Sequence, residues 1–227
     1  MLIKTLFSRP KFHFCEKFYP NALAACKDIP SGSTLLVGGF GLCGIPENCI
    51  QALIQLQINN LTVVSNNAGV KNFGLGLLIH SKQIKRMISS FVGGNSTVGK
   101  AYFHGELEIE LIPQGTLSER IRAGGAGIPG FYTPTAVGTL HEFGGFPIKY
   151  FLGGQLVEIV SQPRPKKEFK GKQCLFEESI FGDFSLIKAQ KSDKLGNLYF
   201  NKTARNFNQD MATASKIVIA EVNSHLI

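Results

Sequence analysis

Thr34-Leu35-Leu36-Val37-Gly38-Gly39-Phe40-Gly41-Leu42-Cys43-Gly44-Ile45-Pro46 is the stretch from which the fold can be read. A short apolar run meets a glycine-rich turn, and Pro46 stands where a helix can begin, because a first helical residue has no need of its N–H. The pattern predicts a strand, a loop and a helix start. Such a junction offers unpaired backbone N–H groups and a positive helix end, so a ligand is expected at the loop. Ile50, Leu53, Ile54 and Ile58 then recur at helical spacing, and Pro46 to Ile58 reads as a helix with one buried face. Leu61-Thr62-Val63-Val64-Ser65 reads as a second buried strand, with Asn66-Asn67-Ala68-Gly69 as the loop at its end. A right-handed β-α-β unit puts both loops on the same sheet edge, where ligands of open α/β sheets gather.

Outward from this unit, Asn21 to Lys27 and Leu75 to His80 suit short helices, and Arg86 to Val92 a third strand before the loop Gly93-Gly94-Asn95. Leu107 to Ile112 alternates apolar and acidic residues, which predicts a strand with one wet face, and a helix is expected from Leu117 to Ala123. Gly124 to Gly145 reads as long ordered loops near the ligand edge. Gln155 to Val160 and Phe184 to Ala189 read as strands of an antiparallel addition, joined by the basic turn region Arg164 to Lys172. A tight turn at Leu195 to Leu198, a helical turn at Met211 to Ser215 and a last strand, Lys216 to Val222, complete the chain. The fold class is therefore α/β: an open, mostly parallel sheet with helices on both faces and an antiparallel β addition in the C-terminal third.

Of 227 residues, 44% are hydrophobic and only 18% charged, which argues against disorder, and 25 glycines imply many tight loops between buried strands. The net charge of +8 favours anionic ligands. The basic groups (Lys82, Lys85, Arg86; Lys166, Lys167, Lys170, Lys172) sit in no nucleic-acid-binding motif, so nucleic acid is not expected as a partner. No apolar run approaches the roughly 18 to 20 residues of a membrane span, and no membrane association is expected. The five cysteines and five histidines are scattered, without a Cys-x-x-Cys pair or metal-ligand spacing, so neither a disulfide framework nor a metal site is expected. The first acidic residue is Glu16; before it Leu2, Ile3, Leu6 and Phe7 sit at helical spacing among Lys4, Arg9 and Lys11, as in an organelle presequence. Residues 1–18 are expected to be a mitochondrial presequence, with a matrix location, or a cytoplasmic one if they are not.

Gly39-x-Gly41-x-x-Gly44 between a strand and a helix satisfies the dinucleotide-binding pattern. That pattern needs an acid about 20 residues on to hold the ribose hydroxyls. No Asp or Glu occurs from Asn48 to Gly105, and the second strand ends in Ser65-Asn66-Asn67. A nicotinamide or flavin cofactor is not expected on that ground. Cys43 could serve as a thiol nucleophile beside a helix N-terminus, but no partner histidine is evident and a small buried hydrophobe is its commoner role.

As Gly38-Gly39-Phe40-x-x-x-Gly44-x-Pro46, the same residues resemble the first signature of the family I coenzyme A transferases. Lys27 to Pro30, Gly41 to Asn48, Ser65 to Val70, Ser81 to Met87, Pro113 to Thr116, Glu119 to Gly127 and Ala204 to Asn208 extend the resemblance over Tyr19 to Val222. Within the family it is the N-terminal (A, or alpha) half of the 3-oxoacid members that the chain is similar to. The resemblance implies transfer of CoA from succinyl-CoA to acetoacetate in ketone body use, through an enzyme glutamyl-CoA thioester. It also implies a CoA thioester as substrate with no further cofactor, and a homo- or hetero-oligomer. The nucleophilic glutamate belongs to a Ser-Glu-Asn-Gly motif of a beta half, a sequence this chain lacks; Glu47-Asn48 is its nearest imitation and stands on the first helical turn. By resemblance, Gln114 is the oxyanion-hole amide. Gly38, Gly39, Phe40, Gly41, Leu42, Cys43, Gly44, Asn66, Asn67, Gly115 and Thr116 are the residues expected to meet CoA or substrate.

Ser31 and Gly94 depart from the family pattern, which prefers Asp or Asn at the first position and an acid at the second. Asn223 to Ile227 resembles nothing in the family and reads as the divergent end of a truncated isoform or of a gene model run into non-coding sequence. A non-catalytic fragment or interaction subunit is the alternative to a working alpha half.

Overall fold

In the computed structural model, which describes residues 2–6 and 17–225, strands β1 (Leu2–Leu6) and β2 (Lys17–Tyr19) precede helix α1 (Ala22–Cys26). Asn21 caps α1 by accepting the Ala24 N–H at 2.9 Å. The organising unit follows as β3 (Thr34–Val37), α2 (Glu47–Gln55) and β4 (Leu61–Val64), then α3 (Leu75–His80), β5 (Ile84–Ser89), α4 (Ser96–Phe103) and β6 (Glu108–Leu111). Helix α5 (Gln114–Ala126) leads to β7 (Gly130–Thr133), α6 (Leu140–Phe143), β8 (Pro147–Tyr150), β9 (Val157–Val160), β10 (Lys166–Phe169) and β11 (Lys172–Glu178). The chain then returns through β12 (Gly182–Ser192), β13 (Leu198–Tyr199), α7 (Asn208–Thr213) and β14 (Ser215–His225).

The main sheet runs β2-β1-β14-β12-β3-β4-β5-β6, with β13 paired on β12. From β14 to β6 all neighbours are parallel. Its parallel strands read as continuous apolar runs because both faces are covered. Leu35, Val37, Leu61 and Val63 pack with Ala25, Ile50, Leu53 and Leu78 of α1 to α3, while Leu36 and Val64 pack with Leu117, Ile121 and Met211 of α5 and α7. Strand order reverses at β3, which lies between β12 and β4, and the loop after a strand at such a switch point faces the ligand crevice of an open α/β sheet. The glycine loop occupies this place.

Several local expectations are corrected. Phe184 to Ala189 lies inside β12, in the parallel part of the main sheet, not in the antiparallel addition. That addition is built from β7, β8, β9, β10 and β11, in sheets ordered β10-β11-β7 and β8-β9. It takes in Gly130–Thr133 and the short helix α6, where long loops were expected, and the basic turn region is a β10–β11 hairpin. Helix α4 went unread because Val98 is its one fully buried side chain, which leaves almost no apolar stripe. The third strand ends at Ser89, and α5 starts three residues before Leu117. Leu2–Leu6 is a strand between β2 and β14, not a helix; Phe7, Arg9 and Lys11 lie outside the described residues. Strand β14 extends through Asn223, Ser224 and His225. Among the described residues no helix is long and apolar enough to cross a membrane.

Candidate functional site

The glycine loop is locked to the sheet before it meets anything else. The Gly38 N–H donates to the Leu186 carbonyl of β12 at 2.9 Å, and Phe40 and Cys43 exchange two backbone hydrogen bonds of 3.0 Å, so Gly41-Leu42 forms the tip of a miniature hairpin. A Cβ at Gly38 would stand 1.9 Å from Asn208 Oδ1. Asn208, fully buried, accepts the Lys188 N–H and donates to the carbonyls of Gly44 and Ala204. Asn208 thus by itself requires glycine at position 38. Gly41 differs: its φ is +60°, and nothing lies within 4 Å of the Cβ it lacks.

The helix end expected to bind an anion already has one. Glu221, from the middle of β14, accepts the N–H groups of Asn48 at 2.9 Å and Cys49 at 3.2 Å. It also accepts from Asn48 Nδ2 at 2.8 Å and Lys188 Nζ at 2.7 Å. A carboxylate at a helix N-terminus satisfies orphan donors and the dipole together, so the first N–H groups of α2 are engaged by Glu221. Pro46 is the N-cap and Glu47, exposed, the first helical residue. Cys49 beside it is fully buried, and its hydrogen bond with Cys26 together with burial pushes its thiol well up, away from thiolate character.

What does converge on the sheet edge is a set of neutral polar groups. Asn66, buried at the end of β4, accepts the Gly41 N–H at 3.4 Å and donates from Nδ2 to Ser90 Oγ and Gln114 Oε1, both at 3.3 Å. Its carbonyl accepts from Ser89 Oγ at 2.8 Å and Ser90 Oγ at 2.9 Å. The ends of β3, β4, β5 and β6 are therefore tied through one side chain. Gln114 is exposed as the first residue of α5; its Oε1 is held by Asn66, while Nε2 has no partner among the described residues. An amide with its oxygen engaged and its N–H groups open is a preorganised donor.

The other sequence-predicted residues divide. Gly39 is buried within the loop and Gly44 packs against Ala204 and Asn208. Asn67 accepts the Gly69 N–H at 3.1 Å, the ordinary business of a turn, and does not join Gln114. Gly115 is exposed beside Gln114, but Thr116 is buried and its hydroxyl has no partner among the described residues, so it presents nothing to the edge. Phe40, Leu42 and Cys43 are exposed at the hairpin tip; Cys43 Sγ lies 3.9 Å from Thr203 Oγ1, with no histidine among its partners. Val70 and Phe73 form a second miniature hairpin on the same edge, and with Phe91 they leave large apolar side chains open to solvent.

Sequence reasoning missed Asn208, Glu221 and Ser90. Glu221 had a signal: it is the one acid in the apolar run Ile217-Val218-Ile219-Ala220-Glu221-Val222, and a charge there needs partners. It also missed a second polar region. The acidic face of β6 is covered, not wet: Arg86 Nη2 bonds Glu110 at 2.5 Å, and Arg120 Nη1 reaches Glu110 at 3.4 Å and Glu177 at 3.8 Å. His141 Nε2 meets the fully buried Glu177 at 2.5 Å. Burial alone would push the Glu110 carboxyl up; the Arg86 hydrogen bond and the charges of Arg120, Arg86 and Arg164 outweigh it and hold it below the usual carboxylate range. Among the described residues no group of His, Cys, Asp and Glu is arranged to hold a metal ion.

Residues 20–225 match the family model for coenzyme A transferase. Succinyl-CoA:3-ketoacid coenzyme A transferase 2, mitochondrial, of Homo sapiens is 52% identical over 206 residues, covering 91% of this chain and 40% of the relative. The A-type subunit of the succinyl-CoA:3-ketoacid coenzyme A transferase of Helicobacter pylori (strain J99) is 51% identical over 201 residues, covering 88% of this chain and 77% of the bacterial one. The chain thus spans about two fifths of the human relative and about three quarters of the bacterial one. The crystal structure of an acyl-CoA transferase from Escherichia coli O157:H7 superposes with a TM-score of 0.75 at 24% identity, over 91% of this chain and 42% of that one. This last likeness concerns the fold.

Proposed function

The chain belongs to the coenzyme A transferase family, and we propose that it is the alpha half of a succinyl-CoA:3-oxoacid CoA-transferase that works with a separate beta-type chain. The observation that carries the reading is Gln114, with Oε1 pinned by Asn66 and Nε2 open at the sheet edge. A carboxylate of the beta chain attacks the thioester carbonyl, and negative charge develops on the carbonyl oxygen. Gln114 Nε2–H donates to that oxygen. Collapse breaks the C–S bond and releases CoA thiolate, leaving an anhydride; the thiolate then attacks the enzyme's side of the anhydride, freeing succinate and forming enzyme-CoA thioester. The acetoacetate carboxylate repeats the sequence in reverse. A preorganised donor of this kind supplies roughly 3 to 4 kcal/mol of barrier lowering.

The exposed Phe40, Leu42, Val70, Phe73 and Phe91 around this edge support docking of the beta chain there. A mitochondrial matrix location is supported by the names of the mammalian relatives and by the basic residues before Glu16; fractionation finding the protein only in the cytosol would overturn it.

The experiment is a mixture. The purified chain alone is expected to show no succinyl-CoA:acetoacetate transfer, and addition of a beta-type chain carrying the Ser-Glu-Asn-Gly motif is expected to restore it. The alternative, a fragment that associates but transfers nothing, predicts silence in both tubes.

A further inference from the structure

We propose that the cavity between β6 and the antiparallel addition is a binding site for a short-chain organic carboxylate, anchored by the Arg164 guanidinium. The cavity holds about 730 Å³, within the roughly 300–1,000 Å³ range of small-ligand pockets. Arg86, Arg120 and Arg164 line it with Glu110, Glu178 and the aliphatic Ile148, Ile159 and Val160, so three guanidinium groups share the space with two carboxylates and an aliphatic wall.

Among these arginines Arg164 has its fork least engaged. Its Nη2 is 3.6 Å from Glu110 and its Nε 3.9 Å from Glu177, both beyond hydrogen-bond reach. By contrast Arg86 Nη2 donates to Glu110 at 2.5 Å and Arg120 Nε to the Glu178 carbonyl at 2.6 Å. Arg86 Nε is buried with no hydrogen-bond partner among the described residues and is shielded from the cavity, so Arg164 is the fork available to a ligand. A carboxylate is the planar, two-oxygen acceptor that a guanidinium fork matches. The segment that presents Arg164 is also fixed in advance. Pro163 and Pro165 flank it, the Arg164 N–H donates to the Glu142 carbonyl at 2.9 Å, and the Phe176 N–H donates to the Pro165 carbonyl at 2.8 Å.

The cavity reaches the polar edge. Ser90 and Pro113 line it; Ser90 Oγ is the acceptor 3.3 Å from Asn66 Nδ2, and Pro113 directly precedes Gln114. A four-carbon acid with one carboxylate on Arg164 would lay its methylenes on Ile148, Ile159 and Val160 and direct its other end toward Gln114. Its identity as the seat of the acid substrate rests on the transferase reading of that edge; its affinity for a carboxylate does not.

Calorimetric titration of the full chain with succinate, and with its neutral isostere succinamide, tests the site. Succinate is expected to bind and succinamide not to. Arg164→Gln is expected to weaken succinate by about tenfold or more, since a charge-assisted pair is lost, Arg164→Lys to fall between, and Val160→Trp, which fills the space and leaves the arginines in place, to abolish binding. Absence of succinate binding, equal binding of succinamide, or unchanged affinity in folded Arg164→Gln or Val160→Trp protein would overturn the proposal. Addition of the beta-type chain separates the two readings. Restored turnover in which Arg164→Gln leaves the KM for the acid unchanged removes the cavity as the seat of the acid substrate and keeps the transferase; Arg164-dependent succinate binding with no turnover from any mixture keeps the carboxylate site and removes the transferase.

Discussion

The polar edge around Gln114 and the ionic cluster under β6 are both tied to the ends of neighbouring strands, yet they are built on opposite principles. At the edge, Gly41, Asn66, Ser90 and Gln114 are neutral, linked by bonds of 3.3 to 3.4 Å, and one amide is left open to solvent. In the cluster, Arg86, Arg120, Glu110 and Glu177 are charged and mostly withdrawn from water. A neutral donor can stay unpartnered at an exposed edge at little cost, whereas a charge withdrawn from water must be matched. The edge is therefore free to wait for a substrate, and the cluster carries the structural load that fastens the antiparallel addition to the main sheet.

The largest effect that could break this contrast belongs to the cluster. Arg120→Ala removes a cation shared by Glu110 and Glu177, leaves them to Arg86 and His141, and frees the Glu178 carbonyl; chemical denaturation is expected to show a loss of about 3 kcal/mol, and a loss below about 1 kcal/mol would mean that the cluster is not structural. Next comes Gly38→Ala, whose methyl meets Asn208 Oδ1 at 1.9 Å. Overpacking of this kind costs about 1 to 3 kcal/mol, and it is expected to cost less on an Asn208→Ala background, where the obstructing oxygen is gone. Equal costs on both backgrounds would detach the glycine from Asn208. Acid gives a graded version of the first test. Because the folded Glu110 carboxyl is held below its ordinary value, its stabilising contribution is complete above the unfolded carboxylate pKa and is lost as pH falls through the folded value. Stability measured on the acid side should fall less steeply in Glu110→Gln than in the parent chain. The smallest effect is expected from Lys82→Ala, which breaks the 2.9 Å pair with Glu106 at 71% and 38% side-chain exposure; a change above about 1 kcal/mol would contradict the ranking of exposed below buried pairs.

The same contrast explains what the sequence made legible. Thr34–Val37, Leu75–His80 and the placing of two loops on one edge follow from local pattern, because apolar runs, glycine turns and right-handed crossovers are local or nearly so. Asn66 and Gln114 were named by resemblance, and their contact across 48 residues is a property of the fold alone. The cluster was invisible for a physical reason: alternation in Leu107 to Ile112 reports two unlike faces, and whether water or arginines from α5 and the Pro163–Pro165 segment cover the acidic one is decided by distant chain. Phe184 to Ala189 failed similarly, since a β-rich run does not state which sheet it joins. Asn208 and Glu221 organise the glycine loop from more than 160 residues away, and no spacing rule reaches that far.

The most direct test of the account is the turnover of Gln114→Ala in the mixture with a beta-type chain. Loss of one preorganised oxyanion donor costs on the order of 10² to 10³ in kcat. The account predicts that drop with the KM for succinyl-CoA little changed and with the variant as stable as the parent. A kcat within a few-fold of the parent, or turnover by the chain without any beta partner, would contradict it.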